Sequence, residues 1–96
     1  MSDTFTSVRN FNESAVFAAV TSLAPRYPLL AGNPERLADV ACVALNRLPS
    51  RYVRHVVDLR FYESDAQRAE HELAVEAAVA HAFEFVQARE LMGARS

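Results

Sequence analysis

The feature that most restricts the fold is the stretch from Ser64 to Met92, which no proline or glycine interrupts. Ser64 and Gln67 have the spacing of a helix capping box, and Gly93 offers a stop at the other end. We therefore predict one helix over about 65–92, which at about 1.5 Å per residue spans roughly 42 Å. Its main apolar stripe comprises Val75, Ala78, Val79, Ala82, Phe83 and Val86.

The same helix has a weaker apolar stripe on its opposite side: Leu73, Ala77, Ala80, Ala88 and Leu91. A chain of 96 residues forms one small domain, which we take to cover 1–96. A domain of that size buries about 60% of the surface that its unfolded chain exposes. Apolar residues make up 51% of the chain, which is more than one small core needs. We therefore expect self-association, most simply as a homodimer, to cover the excess.

Two shorter helices are predicted earlier in the chain. Asn10 and Glu13 have capping-box spacing, and a helix over about 11–24 follows from apolar residues that recur on one face: Val16, Ala19, Val20 and Leu23. Asn33 is a suitable capping residue and Pro34 follows it, so we predict a helix over about 34–48 that ends before Pro49. Its apolar face comprises Leu37, Val40, Ala41, Ala44, Leu45 and Leu48. Residues 1–9 are expected to fray, and 25–32 to form a loop.

From residue 51 to residue 62 the apolar period changes to two, which is typical of a strand with one buried face. A lone strand cannot satisfy its own backbone groups, and the rest of the chain offers no second convincing strand. We therefore predict an extended or β segment over about 51–62 that pairs with the same segment of a second subunit. An irregular extended arm is the alternative. The predicted fold is thus mainly α, with three main helices and this one segment.

Composition and charge exclude several classes of protein. No apolar run reaches about 18 residues, so the chain is not expected to span a membrane. No basic start precedes an apolar stretch at the N-terminus, so no secretory signal is visible and the cytoplasm is the expected compartment. Cys42 is the single cysteine and is most simply a small core or interface residue. Ten arginines and twelve acids give a net charge of -2, which argues against DNA binding.

Arginine and tyrosine are concentrated between residues 46 and 62. Arginine offers a planar fork for phosphate oxygens and a flat face for stacking, and tyrosine offers an aromatic ring and a hydroxyl. A carboxylate on the same face can accept hydrogen bonds from the adjacent N–H donors of a guanine edge. The candidate ligand-binding residues are Arg47, Arg51, Tyr52, Arg54, Asp58 and Arg60. They suit an anionic ligand that contains bases, and the alternative is a solvated strand face with an ordinary salt bridge.

No catalytic or metal-binding pattern is found. His71-Glu72 begins like the zinc-protease helix motif, but position 75 is Val75 instead of the second histidine. His71 and His81 are ten residues apart on the predicted helix, about 15 Å along its axis, so they do not converge. The acidic residues on this helix, Glu70, Glu72 and Glu76, are expected to be a solvated surface. We therefore expect a protein that is not an enzyme and holds neither a metal nor a cofactor.

The stretch ALNRLPSRYV, from Ala44 to Val53, resembles the signature A-L-N-x-L-P-P-x-Y-V of the late competence development protein ComFB family. Asp39-Val40 is similar to the D-V pair before that signature, and the spacing of Asn10 and Glu13 resembles the family's N-x-x-E. Asp58 to Tyr62 resembles the D-L/M-x-F-Y stretch of the proteobacterial branch, so the resemblance covers about residues 10–90. Ser50 replaces the usual second proline. Some members bind zinc through a cysteine cluster between the first two helices, and 27–34 contains no cysteine, so no zinc site is implied here.

The resemblance implies a small, dimeric, mainly helical protein. Some members are implicated as receptors for cyclic dinucleotides, linked to competence, type IV pili and motility. Our first hypothesis is therefore a non-enzymatic cyclic dinucleotide receptor with an unidentified downstream protein partner, cyclic di-GMP being favoured over cyclic di-AMP. Arginines would hold the phosphates, Tyr52 would stack on a base, and Asp58 would favour guanine. The alternative is a small dimeric protein–protein adaptor that binds no nucleotide.

Overall fold

Three helices form the body of the protein in the computed structural model, which describes residues 6–50, 52–54 and 64–93. They are α1 (Glu13–Leu23), α3 (Pro34–Arg47) and α4 (Asp65–Gly93), and a short helix α2 (Pro28–Ala31) lies between the first two. Each of the three long helices packs against the other two, and α3 against α4 is the most extensive of these interfaces. The mainly α fold and the helices predicted at about 11–24, 34–48 and 65–92 are confirmed.

The first turn of α4 is closed by the capping box that its sequence predicts. The Gln67 N–H donates to the Ser64 hydroxyl oxygen (3.1 Å), and the Ser64 N–H donates to Gln67 Oε1 (2.9 Å). The predicted main stripe is buried in full: Val75, Ala78, Val79, Ala82, Phe83 and Val86. None of the helices in the described part of the chain combines the length and apolar character that a membrane crossing requires.

The inner faces of α1 and α3 complete the core. Val16 and Val20 of α1 are buried, as are Val40, Ala41 and Ala44 of α3. The Asn33 side chain caps α3 as predicted, since its Oδ1 accepts the N–H groups of Glu35 and Arg36. The residues opposite the apolar face of α3 are exposed: Glu35, Asp39, Cys42 and Asn46. Of the two expectations for Cys42, a core position is therefore wrong.

The connection between α1 and α3 was expected to be a loop, and for most of its length it is not. Residues Ala24–Arg26 form a 3₁₀ turn, and Pro28–Ala31 form α2, with a proline at the start of each. Proline is compatible with the first turn of a helix because the N–H that it lacks has no partner inside the helix there. Leu30 of α2 is fully buried, and the Tyr27 ring stacks on Phe83 of α4 with a centroid separation of 4.4 Å. This connection therefore contributes Leu30 and the ring of Tyr27 to the packing around the core.

The extended segment has a partner within its own chain. Tyr52–Val53 (β2) pairs antiparallel with Arg9–Asn10 (β1), with Arg9 opposite Val53 and Asn10 opposite Tyr52. The sequence offers no second convincing strand because β1, with two residues, is too short to show an alternating pattern. For these residues the pairing is internal, and Arg9 belongs to it instead of to a frayed start. The remainder of the predicted 51–62 segment, residue 51 and residues 55–62, lies outside the described residues.

The start of α1 also differs from the prediction. Asn12 occupies the N-cap position, and its side chain makes no capping hydrogen bond. Asn10 Oδ1 instead accepts the N–H of Asn12 (3.1 Å), which is a turn and not a capping box with Glu13. The helix therefore begins at Glu13, two residues later than predicted.

Candidate functional site

Arg47 is the last residue of α3, and its side chain is exposed. The helix ends here because Leu48 takes up extended backbone geometry (ψ 147°) and buries its side chain, and Pro49 follows it. The chain therefore leaves α3 with Leu48 held in the core and Arg47 facing solvent. A cation at this position also interacts favourably with the negative end of the helix dipole.

Tyr52 and Arg54 lie beyond that turn and are also exposed. Tyr52 is on β2 opposite Asn10, and 68% of its surface is accessible to solvent. Arg54 comes directly after β2. Among the described residues, no carboxylate lies within salt-bridge distance of either Arg47 or Arg54. The described part of the predicted site thus presents two guanidinium groups and one aromatic ring to solvent.

The other three predicted ligand residues, Arg51, Asp58 and Arg60, lie outside the described residues. His55, which the alternating pattern of the segment predicts on its apolar side, also lies outside the described residues. Their roles in ligand binding, like those of Arg47, Tyr52 and Arg54, stay predictions.

A buried polar contact next to this segment was missed by the sequence analysis. Asn12 is only 2% exposed; its Nδ2 donates to the Pro49 carbonyl oxygen (3.0 Å), and its Oδ1 lies 2.6 Å from Nε2 of His71. The ring of Phe11 packs on the imidazole at a centroid distance of 5.2 Å. The sequence suggested only a metal-binding role for His71. The one sequence feature that could have indicated this contact is the polar residue Asn12 directly before α1.

A second polar cluster joins α3 to α4. Nε of Arg36 donates to Glu90 Oε2 (2.6 Å), and its Nη1 donates to Asp39 Oδ2 (3.2 Å). The hydrogen bond to Glu90 is the main reason why the pKa of Arg36 is raised above its ordinary, already strongly basic value. Because the ordinary pKa of an arginine already lies far above the physiological range, the Arg36 guanidinium stays charged there. The contact between Arg36 and Glu90 therefore links α3 to α4 at the surface of the protein.

A cavity of about 430 Å³ opens beside this cluster, and Cys42 and Arg89 contribute to its lining. It contains none of the predicted ligand residues. Two arginines and two acids in the lining give it no net charge, so it lacks the excess positive charge that a phosphate ligand would require. Within the described ranges, no three histidine, cysteine, aspartate or glutamate side chains come together as metal ligands would.

Comparison with known protein families identifies the chain. The family model of the late competence development protein ComFB matches residues 9–90, which is most of the sequence. The chain belongs to the ComFB family. The match begins at β1 and ends in the last turns of α4, so it includes every element that packs into the core.

ComFB family membership indicates a function related to competence development. A search of curated proteins gives no match to the chain, and neither does a search of solved structures.

Proposed function

We propose that this ComFB-family protein is a non-enzymatic receptor for a cyclic dinucleotide, with cyclic di-GMP favoured over cyclic di-AMP. The observation that carries the proposal is the exposure of Arg47, Tyr52 and Arg54, without carboxylate partners among the described residues, within the family signature and directly after it. A tyrosine in a core would bury its ring, and an arginine in a structural ion pair would have an acid beside it. These three side chains are instead available to a ligand.

The chemistry of these groups fits the proposed ligand. A cyclic dinucleotide presents two phosphates and two bases, and guanidinium groups bind phosphate oxygens through charge-assisted hydrogen bonds. An exposed tyrosine ring stacks on a base with little loss of conformational freedom. In this proposal Asp58 selects guanine by accepting its N–H donors.

The ligand is two-fold symmetric, so a two-fold symmetric receptor can present the same groups to each half of it. We therefore include a homodimer in the proposal. The exposed apolar side chains on α4 support it, because they remain uncovered in the single chain: Leu73 (66% exposed), Leu91 (52%) and Met92 (68%). A downstream protein that recognises the loaded form completes the signalling role.

The test is calorimetric titration of the full-length protein with cyclic di-GMP and with cyclic di-AMP. Tyr52→Ala should weaken the affinity about tenfold or more, since stacking on a base contributes about 1–3 kcal/mol. Arg54→Ala should weaken it by a similar factor, and Arg54→Lys should recover only part of the loss, because lysine lacks the planar fork.

Two variants serve as controls for these substitutions. Phe17→Ala removes an exposed aromatic ring (51% exposed) from α1, and Arg26→Ala removes an exposed guanidinium from the 3₁₀ turn. Both should bind like the unmodified protein. If neither nucleotide binds at about 100 μM, which corresponds to about -5.5 kcal/mol, the receptor proposal is wrong. If binding occurs but Tyr52→Ala and Arg54→Ala leave it unchanged, only the residue assignment is wrong.

A protein–protein adaptor is the second candidate, and the exposed stripe on α4 favours it. Leu73 and Leu91 lie five turns apart on the same side of the helix, so a partner could bind along most of its length. An adaptor would show no nucleotide binding in the titration above. Its association with a partner would be lost in Leu73→Gln and unchanged in Tyr52→Ala, whereas in the receptor Tyr52→Ala weakens nucleotide binding.

A further inference from the structure

Asn12 uses every polar group of its side chain inside the protein. The Pro49 carbonyl can only accept a hydrogen bond, so the amide nitrogen of Asn12 must face it. This orientation directs Asn12 Oδ1 towards His71, and the Nε2 atom of the imidazole must therefore carry the proton in the 2.6 Å contact. The two hydrogen bonds thus form one directed chain from His71 through Asn12 to Pro49.

Residues 9–12 also contact the signature segment, Ala44 to Val53, at a second position. Asn10 lies opposite Tyr52 in the β1–β2 pair, and its side chain accepts the N–H of Asn12. Residues 9–12 therefore contact the signature segment on both sides of position 51, at Pro49 and at Tyr52–Val53. His71 links this arrangement to α4, which is part of the core. Pro49 and Tyr52 are thus each joined to residues 9–12.

We propose that Asn12 and His71 are positioning residues, which hold the stretch from Pro49 to Tyr52 in the conformation that receives the ligand. They do not touch the ligand in this proposal; they act through the Pro49 carbonyl. A site held in its bound conformation loses less conformational freedom when the ligand arrives, and therefore binds more tightly. The expected effect on ligand affinity rests on the proposed function. The contacts of Asn12 with Pro49 and His71 do not, because they are present in the free protein.

The test separates the hydrogen bond from the packing of the ring. His71→Phe keeps an aromatic ring against Phe11 but removes the donor, whereas His71→Gln restores an N–H donor without the ring. Asn12→Asp keeps an acceptor for His71 but has no donor for the Pro49 carbonyl. His81→Phe is the control, because His81 is an exposed histidine on the same helix whose ring contact is to Phe85.

The first measurement is amide hydrogen exchange by NMR in the free protein. We expect exchange at residues 50–54 to rise about five- to tenfold in His71→Phe and in Asn12→Asp, with no rise at the core positions Val79 and Phe83. His71→Gln should return it close to the original rate, and His81→Phe should leave it unchanged. A rise that is equal at the core positions, or no rise at residues 50–54, would overturn the proposal.

The second measurement is the affinity for cyclic di-GMP. We expect it to fall about five- to tenfold in His71→Phe and in Asn12→Asp, and to recover in His71→Gln. If amide exchange at residues 50–54 rises but the affinity is unchanged, the contacts of Asn12 and His71 do not contribute to ligand binding, and their positioning role is wrong. If no nucleotide binds to any variant, the proposed function fails, and the exchange measurement still decides whether Asn12 and His71 hold the segment.

Discussion

At the scale of single residues, Phe83 and Phe85 show how a two-residue step around α4 changes the role of the same side chain. Phe83 is fully buried and stacks on Tyr27, with 7° between the ring planes. Phe85 is 44% exposed, lies beside His81, and has the Arg89 guanidinium 5.8 Å from its ring centre. Phe83 is thus a core residue, and through Tyr27 it also holds the connection between α1 and α2 against α4.

We expect Phe83→Ala to lower the free energy of unfolding by about 3–5 kcal/mol, because it removes a buried ring and leaves a cavity. Phe85→Ala should change it by about 1 kcal/mol or less, since the side chain is partly solvated in the folded state. Urea denaturation followed by circular dichroism measures both. Equal losses in the two variants would contradict the assignment of Phe83, and not Phe85, to the core.

The sequence predicts single residues well where one local pattern determines their position. All six residues of the α4 main stripe are buried, because helical periodicity alone sets the side of the helix on which they lie. The contact of Asn12 with His71 joins positions 59 residues apart, and no local pattern contains that information. Tyr52 is exposed in the structure, whereas Arg51, Asp58 and Arg60 lie outside the described residues, and the ligand-binding role of all four stays a prediction.

At the scale of elements, the ends of the helices depend on single side chains. Asn33 accepts two N–H groups at the start of α3, and Ser64 and Gln67 cap each other at the start of α4. The start of α1 lacks such a cap, since the Asn12 side chain is used for Pro49 and His71. A side chain that serves the tertiary structure is not available to cap its own helix, which explains why the predicted start of α1 is wrong by two residues.

For α3 we expect Asn33→Ala to destabilise the protein by about 1 kcal/mol, because two N–H groups in the first turn lose their acceptor. Asn33→Asp should retain the stability, since a carboxylate accepts the same hydrogen bonds and interacts favourably with the positive end of the helix dipole. Thermal denaturation of the three proteins gives the comparison. A loss in Asn33→Asp as large as that in Asn33→Ala would show that the acceptor is not what matters.

The elements that the sequence analysis mistook are short ones. Helix α2 has four residues and each strand has two, so neither gives a full period from which helix or strand can be recognised. Their positions are determined by packing: Leu30 is buried in the core, and β1 is held opposite β2. In this protein the positions of the long elements follow from local sequence patterns, whereas the positions of the short elements depend on tertiary contacts.

At the scale of the whole molecule, the single chain is less compact than its length allows. The Cα radius of gyration is 15.2 Å, whereas a compact domain of this length would have about 12.5 Å. The second stripe of α4 is uncovered in the single chain, with Leu73 and Leu91 both more than half exposed. A second body on this face would complete its burial.

We expect the protein to sediment as a dimer, and Leu73→Gln with Leu91→Gln to shift it to a monomer without unfolding it. The control is Leu29→Gln, since Leu29 is 50% exposed but lies on α2 and is not part of the second stripe of α4. Sedimentation velocity over a range of concentrations is the measurement. An unmodified protein that is monomeric at about 100 μM would contradict the homodimer, because stable homodimers associate far more tightly.

The tie made by residues 9–12 also has a consequence for synthesis. The chain is made from its N-terminus, yet Asn12 finds its two partners only 37 and 59 residues later. The arginine-rich segment has already been translated when His71 is added, and until then one end of the tie is missing. Truncated products that stop before α4 would therefore contain the family signature in full and still lack the contact that joins Asn12 to α4.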